Sequence, residues 1–142
     1  MKRSSVVPVL VVLLYLTACV SIIGGPWGVS PSQFDFQPMV PLREPGPGGW
    51  KSAQAVIFLI HVTPSGIRTK VRCQVQVEVP ELNYLGIVTN EFAQLEAARA
   101  ADIAAERALK HGGLSAEMCI RFMKEMEGLL QKEIPGARVL KF

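Results

Sequence analysis

Residues that carry chemistry are scarce in this chain. Its 142 residues include two histidines, His61 and His111, and three cysteines, Cys19, Cys73 and Cys119. No HExxH, CxxC, GxSxG or glycine-rich phosphate loop occurs. The spacings that serve zinc hydrolysis, thiol redox work, serine nucleophiles and nucleotide phosphates are therefore missing. His61 lies inside an apolar run, where a hydrogen-bonded structural histidine is expected rather than a ligand. His111 falls in the last turn of a predicted helix, where a partly positive ring complements the helix dipole. A Cys119–His111 nucleophile pair would need an exposed thiolate of low pKa, and both Cys73 and Cys119 fall on faces expected to be buried. The expectation is a non-enzyme with no catalytic residues, no metal site and no cofactor. Internal repeats are missing too.

Net charge is also small. The 15 basic and 12 acidic residues leave +3, and loss of Lys2 and Arg3 with an N-terminal signal would leave 13 basic against 12 acidic, a net of +1. A nearly neutral chain has no electrostatic footprint for nucleic acid, so none is expected as a partner.

What is present begins at the N-terminus. Lys2 and Arg3 form a basic region, Val6 to Tyr15 an apolar one of signal-peptide length, and Leu16-Thr17-Ala18-Cys19 follows. Over these first twenty or so residues the chain resembles the bacterial lipoproteins. The resemblance implies that residues 1–18 are removed and that Cys19 becomes the acylated first residue of the mature protein. Three acyl chains, at roughly 0.8 kcal/mol per buried methylene, make a permanent tether. Val20, rather than Asp, follows the cysteine, which in enterobacteria-like sorting implies the periplasmic face of the outer membrane. The alternative is an uncleaved inner-membrane signal anchor, since Val6 to Ile23 is nearly unbroken apolar sequence of about minimum spanning length.

With Cys19 lipidated, Cys73 and Cys119 remain. An even remainder in an oxidising compartment invites a disulfide; the alternative is two buried free thiols.

Residues 19–51 are rich in proline and glycine and read as an extended linker. Its aromatics Trp27, Phe34, Phe36 and Trp50 exceed what a spacer needs. They are expected either to touch the membrane surface or pack on the domain edge, or to form a strip that docks a partner.

Residues 52–142 read as one small α+β domain, a two-layer arrangement of an antiparallel sheet of three to four strands with two helices on one face. Ala53 to Val62 is an apolar run of strand length, expected to be covered on both faces or central in the sheet. Thr63-Pro64-Ser65-Gly66 supplies a turn. Lys70 to Val79 alternates, with Val71, Cys73, Val75, Val77 and Val79 on one side. Leu82 to Val88 is a weaker strand candidate. Asn90 is expected to cap a first helix with an alanine stripe, and Ser115 a second helix with Met118, Cys119, Phe122, Met123, Met126, Leu129 and Leu130 on its apolar arc. That arc places Cys119 inward, as the strand does Cys73. Val139, Leu140 and Phe142 suggest a final edge strand.

The strand, the Gly86 turn and the alanine-rich helix resemble the second half of a double-stranded RNA-binding domain. That family holds phosphates with lysines at the start of its last helix, where this chain has Asn90-Glu91-Phe92, and its first helix has no counterpart here. RNA binding is not expected.

The functional expectation is a non-enzymatic, lipid-anchored envelope protein that presents a small interaction domain to an envelope protein partner, as an accessory or assembly lipoprotein. The alternative is a lipoprotein effector toxin or its immunity partner. A third reading takes the methionine arc as a small-ligand groove.

Overall fold

The described chain opens with a single 3-10 turn, Pro31–Gln33, followed by a three-residue strand β1 (Gln37–Met39). The turn is held reciprocally: the Ser30 hydroxyl accepts from the Ser32 amide, and Gln33 Oε1 accepts from the Ser30 amide at 3.2 Å. This computed structural model describes residues 28–39 and 49–142. The expected signal segment 1–18, the lipidation residue Cys19 and the linker aromatic Trp27 lie outside the described residues.

Strands β2 (Trp50–Val62) and β3 (Arg68–Pro80) form a hairpin of thirteen residues each, paired one-to-one from Trp50↔Pro80 to Val62↔Arg68. Its turn uses the expected chemistry. The Gly66 amide donates to Thr63 O at 2.8 Å, the Thr63 amide to Ile67 O at 2.9 Å, and Gly66 takes φ +85°, a conformation that a side chain would strain. A small hairpin, β4 (Leu82–Asn83) and β5 (Gly86–Ile87), interrupts the path to two helices, α1 (Asn90–His111) and α2 (Ser115–Glu133). The last strand, β6 (Arg138–Lys141), returns antiparallel beside β3, giving the sheet order β1-β2-β3-β6 with every pairing antiparallel.

Alternation decides which face is covered. Ala53, Ala55, Ile57 and Leu59 of β2, and Val71, Cys73, Val75, Val77 and Val79 of β3, are all buried beneath the helices. Against them α1 lays its alanines (Ala93, Ala97, Ala101, Ala104 and Ala108), whose methyl groups allow close approach, and α2 lays Met118, Phe122, Met126 and Leu130. The result is the expected α+β arrangement, a four-stranded antiparallel sheet with two helices on one face.

Four details differ from expectation. First, the domain starts well before residue 52. Val29, Phe34 and Phe36 are part of the core, and β1 pairs with Trp50–Ser52. Prolines and glycines hid a segment whose inward residues obey the same period of two. Second, β2 takes the central place that was one of its two expectations, between β1 and β3, but it is covered on one face only. Among the described residues it has a neighbour on its β1 side only over Trp50–Ser52, and Phe58 and Val62 remain exposed on the outer face. Third, Thr89 rather than Asn90 caps α1, its hydroxyl accepting from the Phe92 amide at 3.2 Å, while Asn90 Oδ1 accepts from Lys51 Nζ at 2.6 Å. Fourth, Leu114 occupies the cap position of α2 with no side-chain capping bond, and Ser115 is already helical. In both helices the residue with the extended backbone falls one position earlier than side-chain chemistry alone suggests.

The outer face of the sheet changes character along its length. At the end near β1 and β6 it is a polar network. Glu78 Oε1 meets Arg138 Nη2 at 2.9 Å, the Arg138 guanidinium lies 4.9 Å from the Trp50 ring centroid, and Gln54 Nε2 donates to Gln76 Oε1 at 3.3 Å. At the hairpin tip it is apolar and basic.

Candidate functional site

The disulfide expected between Cys73 and Cys119 is present, with the two Cα atoms 5.5 Å apart. It joins the middle of β3 to the second turn of α2, and it removes Cys119 as a nucleophile for His111. His111 instead borders an open groove of about 390 Å³ with Glu117, Ile120, Arg121, Lys124 and Glu125. Charges of both signs line it and no side chain there is buried, so nothing in it concentrates one chemistry. Among the described residues, no three His, Cys, Asp or Glu side chains come together as metal ligands.

Of the linker aromatics within the described residues, Phe34 and Phe36 do not lie on the surface. Phe34 and Phe36 are 0% and 2% exposed and belong to the core. They point inward because the chain from the 3-10 turn into β1 is extended, with Asp35 between them facing water. Trp50 is half-buried beneath Arg138. The reading of Phe34 and Phe36 as partner contacts is therefore replaced by packing on the domain.

Exposed apolar surface gathers instead around the β4–β5 hairpin. Tyr84 and Ile87 are 84% and 81% exposed, and Leu82, Leu85 and Phe92 join them within eleven residues of chain. Large apolar side chains concentrated in this way mark contact sites far more often than a scattered exposed leucine does.

This apolar knuckle is held firmly. The Leu85 amide donates to Asn83 Oδ1 at 2.9 Å, fixing the turn from within, and Asn83 Nδ2 donates to Pro135 O at 3.2 Å, tying it to the loop before β6. At its base the Val88 amide donates to Glu81 O at 2.9 Å. Lys51 Nζ, bonded to both Val88 O at 3.3 Å and Asn90 Oδ1, braces the exit into α1. Between the knuckle and the helices lies an open groove of about 310 Å³, with Leu85, Ile87, Phe92 and Glu133 on its walls. Fixed backbone with projecting apolar side chains suits the recognition of a protein surface, because little ordering entropy remains to be lost on binding.

In the sequence this knuckle is hidden within Leu82 to Val88, which reads as a weak strand candidate. The signal was there in Tyr84-Leu85-Gly86, where large apolar residues occupy turn positions that ordinarily carry Asn, Asp, Ser or Pro.

No protein-family description, curated protein or solved structure matches the chain.

Proposed function

We propose that this protein is a non-enzymatic, lipid-anchored envelope protein whose α+β domain binds an envelope protein partner through the β4–β5 knuckle. The observation that carries the reading is the exposure of Leu82, Tyr84, Leu85, Ile87 and Phe92 on a backbone braced by Asn83 and Lys51. The anchor at Cys19 rests on the Leu16-Thr17-Ala18-Cys19 pattern. The Cys73–Cys119 bridge is in keeping with export, because such bonds persist in the oxidising space outside the cytoplasm. The periplasmic face of the outer membrane is the proposed location, on the strength of Val20 after the cysteine.

The test is photo-crosslinking in cells. A benzoylphenylalanine at position 84 or 87 should yield a discrete protein adduct, and the same group at position 124, on the exposed side of α2, should not. Failure of both knuckle positions to give an adduct, or the same adducts from all three positions, removes the knuckle as the docking site.

A further inference from the structure

We propose that the outer face of the distal β2–β3 hairpin is a contact surface for an anionic lipid bilayer. On this face Phe58, Ile60 and Val62 stand directly across from Arg72, Lys70 and Arg68. Each apolar residue of one strand thus has a basic residue directly opposite it on the next, the strands lying about 4.8 Å apart, with successive pairs about 7 Å apart along them. Phe58 and Val62 are 55% and 53% exposed.

The charge here is of one sign. Residues 52–77 contain Arg68, Lys70 and Arg72 and no acidic residue, in a chain that holds 12 acidic residues elsewhere. Among the described residues none of the three cations forms an ion pair, and Lys70 Nζ instead lies 5.8 Å from the centroid of the Phe58 ring. The nearest acidic side chain in sequence on the same face of β3, Glu78, is buried and bonded to Arg138. Acidic groups on the helices lie behind the sheet, on its other side.

A bilayer interface offers the complement to this pattern: anionic headgroups in a plane, with acyl chain just beneath. Arg and Lys lay their apolar stems along the surface and reach phosphate with their heads, while Phe58, Ile60 and Val62 enter the interfacial layer. The contact is also in the right place. β3 runs from Arg68 at this tip to Pro80 beside the knuckle, a span of about 40 Å, so a bilayer at one end leaves the knuckle free at the other. The inference stands on these side chains alone, with or without the tether at Cys19.

The test uses the full chain in vesicles of phosphatidylcholine, with and without phosphatidylglycerol, carrying benzoylphenylalanine at position 58 or, as control, 124. Intact mass then reads phospholipid adducts. Each cation near an anionic leaflet strengthens engagement about fivefold, so three give on the order of 100-fold. The expected result is an adduct at position 58 that requires phosphatidylglycerol and is lost in Arg68→Ser/Lys70→Ser/Arg72→Ser. Lys70→Ser alone should show an intermediate loss of about fivefold, which keeps the test sound should the triple variant fold poorly. Equal adducts at 58 and 124, or adducts at 58 indifferent to lipid charge and to these substitutions, overturn the proposal. So does capture of soluble polyglutamate at position 58 with no phospholipid adduct, which assigns the face to an acidic polypeptide. Because acylation plays no part in the vesicles, failure here is separable from failure of the anchor.

Discussion

Cys73, on the core face of β3, is bonded to Cys119 in the second turn of α2, 46 residues further along the chain. The bond closes the loop that contains the knuckle and all of α1. It also pins the helical layer to the midpoint of the hairpin, between the two proposed contact surfaces. The architecture is a bar, with apolar and basic groups at one end, an apolar knuckle at the other, and a cross-link in between.

Closing a loop of this length should stabilise the fold by about 4 kcal/mol on the chain-entropy account. Cys73→Ser should lower the free energy of urea unfolding by roughly 3–4 kcal/mol, and reductant should do the same to the unmodified protein. Alkylation of native protein without reductant should label neither Cys73 nor Cys119.

Phe34 and Ile87 should behave in opposite ways. Phe34 is fully enclosed, so Phe34→Ala removes packed volume and should cost about 3–5 kcal/mol. Ile87→Ser changes a side chain already in water, and its effect on stability should stay within about 0.5 kcal/mol. The adduct captured from position 84 should nevertheless disappear with Ile87→Ser. Urea titrations of the two variants, with the crosslink, separate packing from recognition.

Arg138 supports a buried carboxylate. Arg138→Met leaves Glu78 enclosed with, among the described residues, only Gln76 Nε2 at 3.4 Å to bond it, and should destabilise by roughly 1–3 kcal/mol. Adding Glu78→Gln should recover much of that loss, since no unpaired charge is then left inside. A double-mutant cycle measures the coupling.

Asp102 should make stability depend on pH in an unusual direction. Burial pushes its carboxyl above the ordinary value of 3.8, while the Val29 amide, donating to Oδ1 at 2.6 Å, pulls the other way. A carboxyl whose folded pKa is raised binds its proton more tightly folded than unfolded. Its contribution is fully present below the ordinary value and is lost as pH rises through the folded pKa. Asp102→Asn keeps an acceptor for Val29 and removes the titration. The variant's stability relative to the unmodified protein should therefore be highest at neutral pH and decline as pH falls towards about 4. Paired urea titrations across that range show the trend.

Where one physical rule dominated, the fold was legible in the sequence. Val71 to Val79 alternate so cleanly that strand, face and the inward position of Cys73 follow together, and the Met118–Leu130 arc does the same for α2 and Cys119. Thr63-Pro64-Ser65-Gly66 names its own turn. Competing rules obscured the rest. Phe34 and Phe36 sit among prolines and glycines, whose entropy argument pointed to a linker, yet two buried rings and a three-residue pairing suffice to dock the segment. The apolar run Ala53 to Val62 suggested cover on both faces or a central place; β2 is central, between β1 and β3, yet its outer side leaves Phe58 and Val62 beside Arg68, Lys70 and Arg72. Tyr84, Leu85 and Ile87 were hard to place because nothing local says whether apolar residues in a turn are folded under or left projecting; the Asn83 bonds to Leu85 and Pro135 decide it.

Lipid at Cys19 is what makes this an anchored envelope protein, and the intact mass of the protein from the membrane fraction tests that proposal directly. The predicted species begins at Cys19, lacks residues 1–18 and carries the added mass of three acyl chains with the glyceryl group. A species that retains Met1 and carries no acyl mass contradicts it, and makes the apolar N-terminal stretch an anchor in its own right.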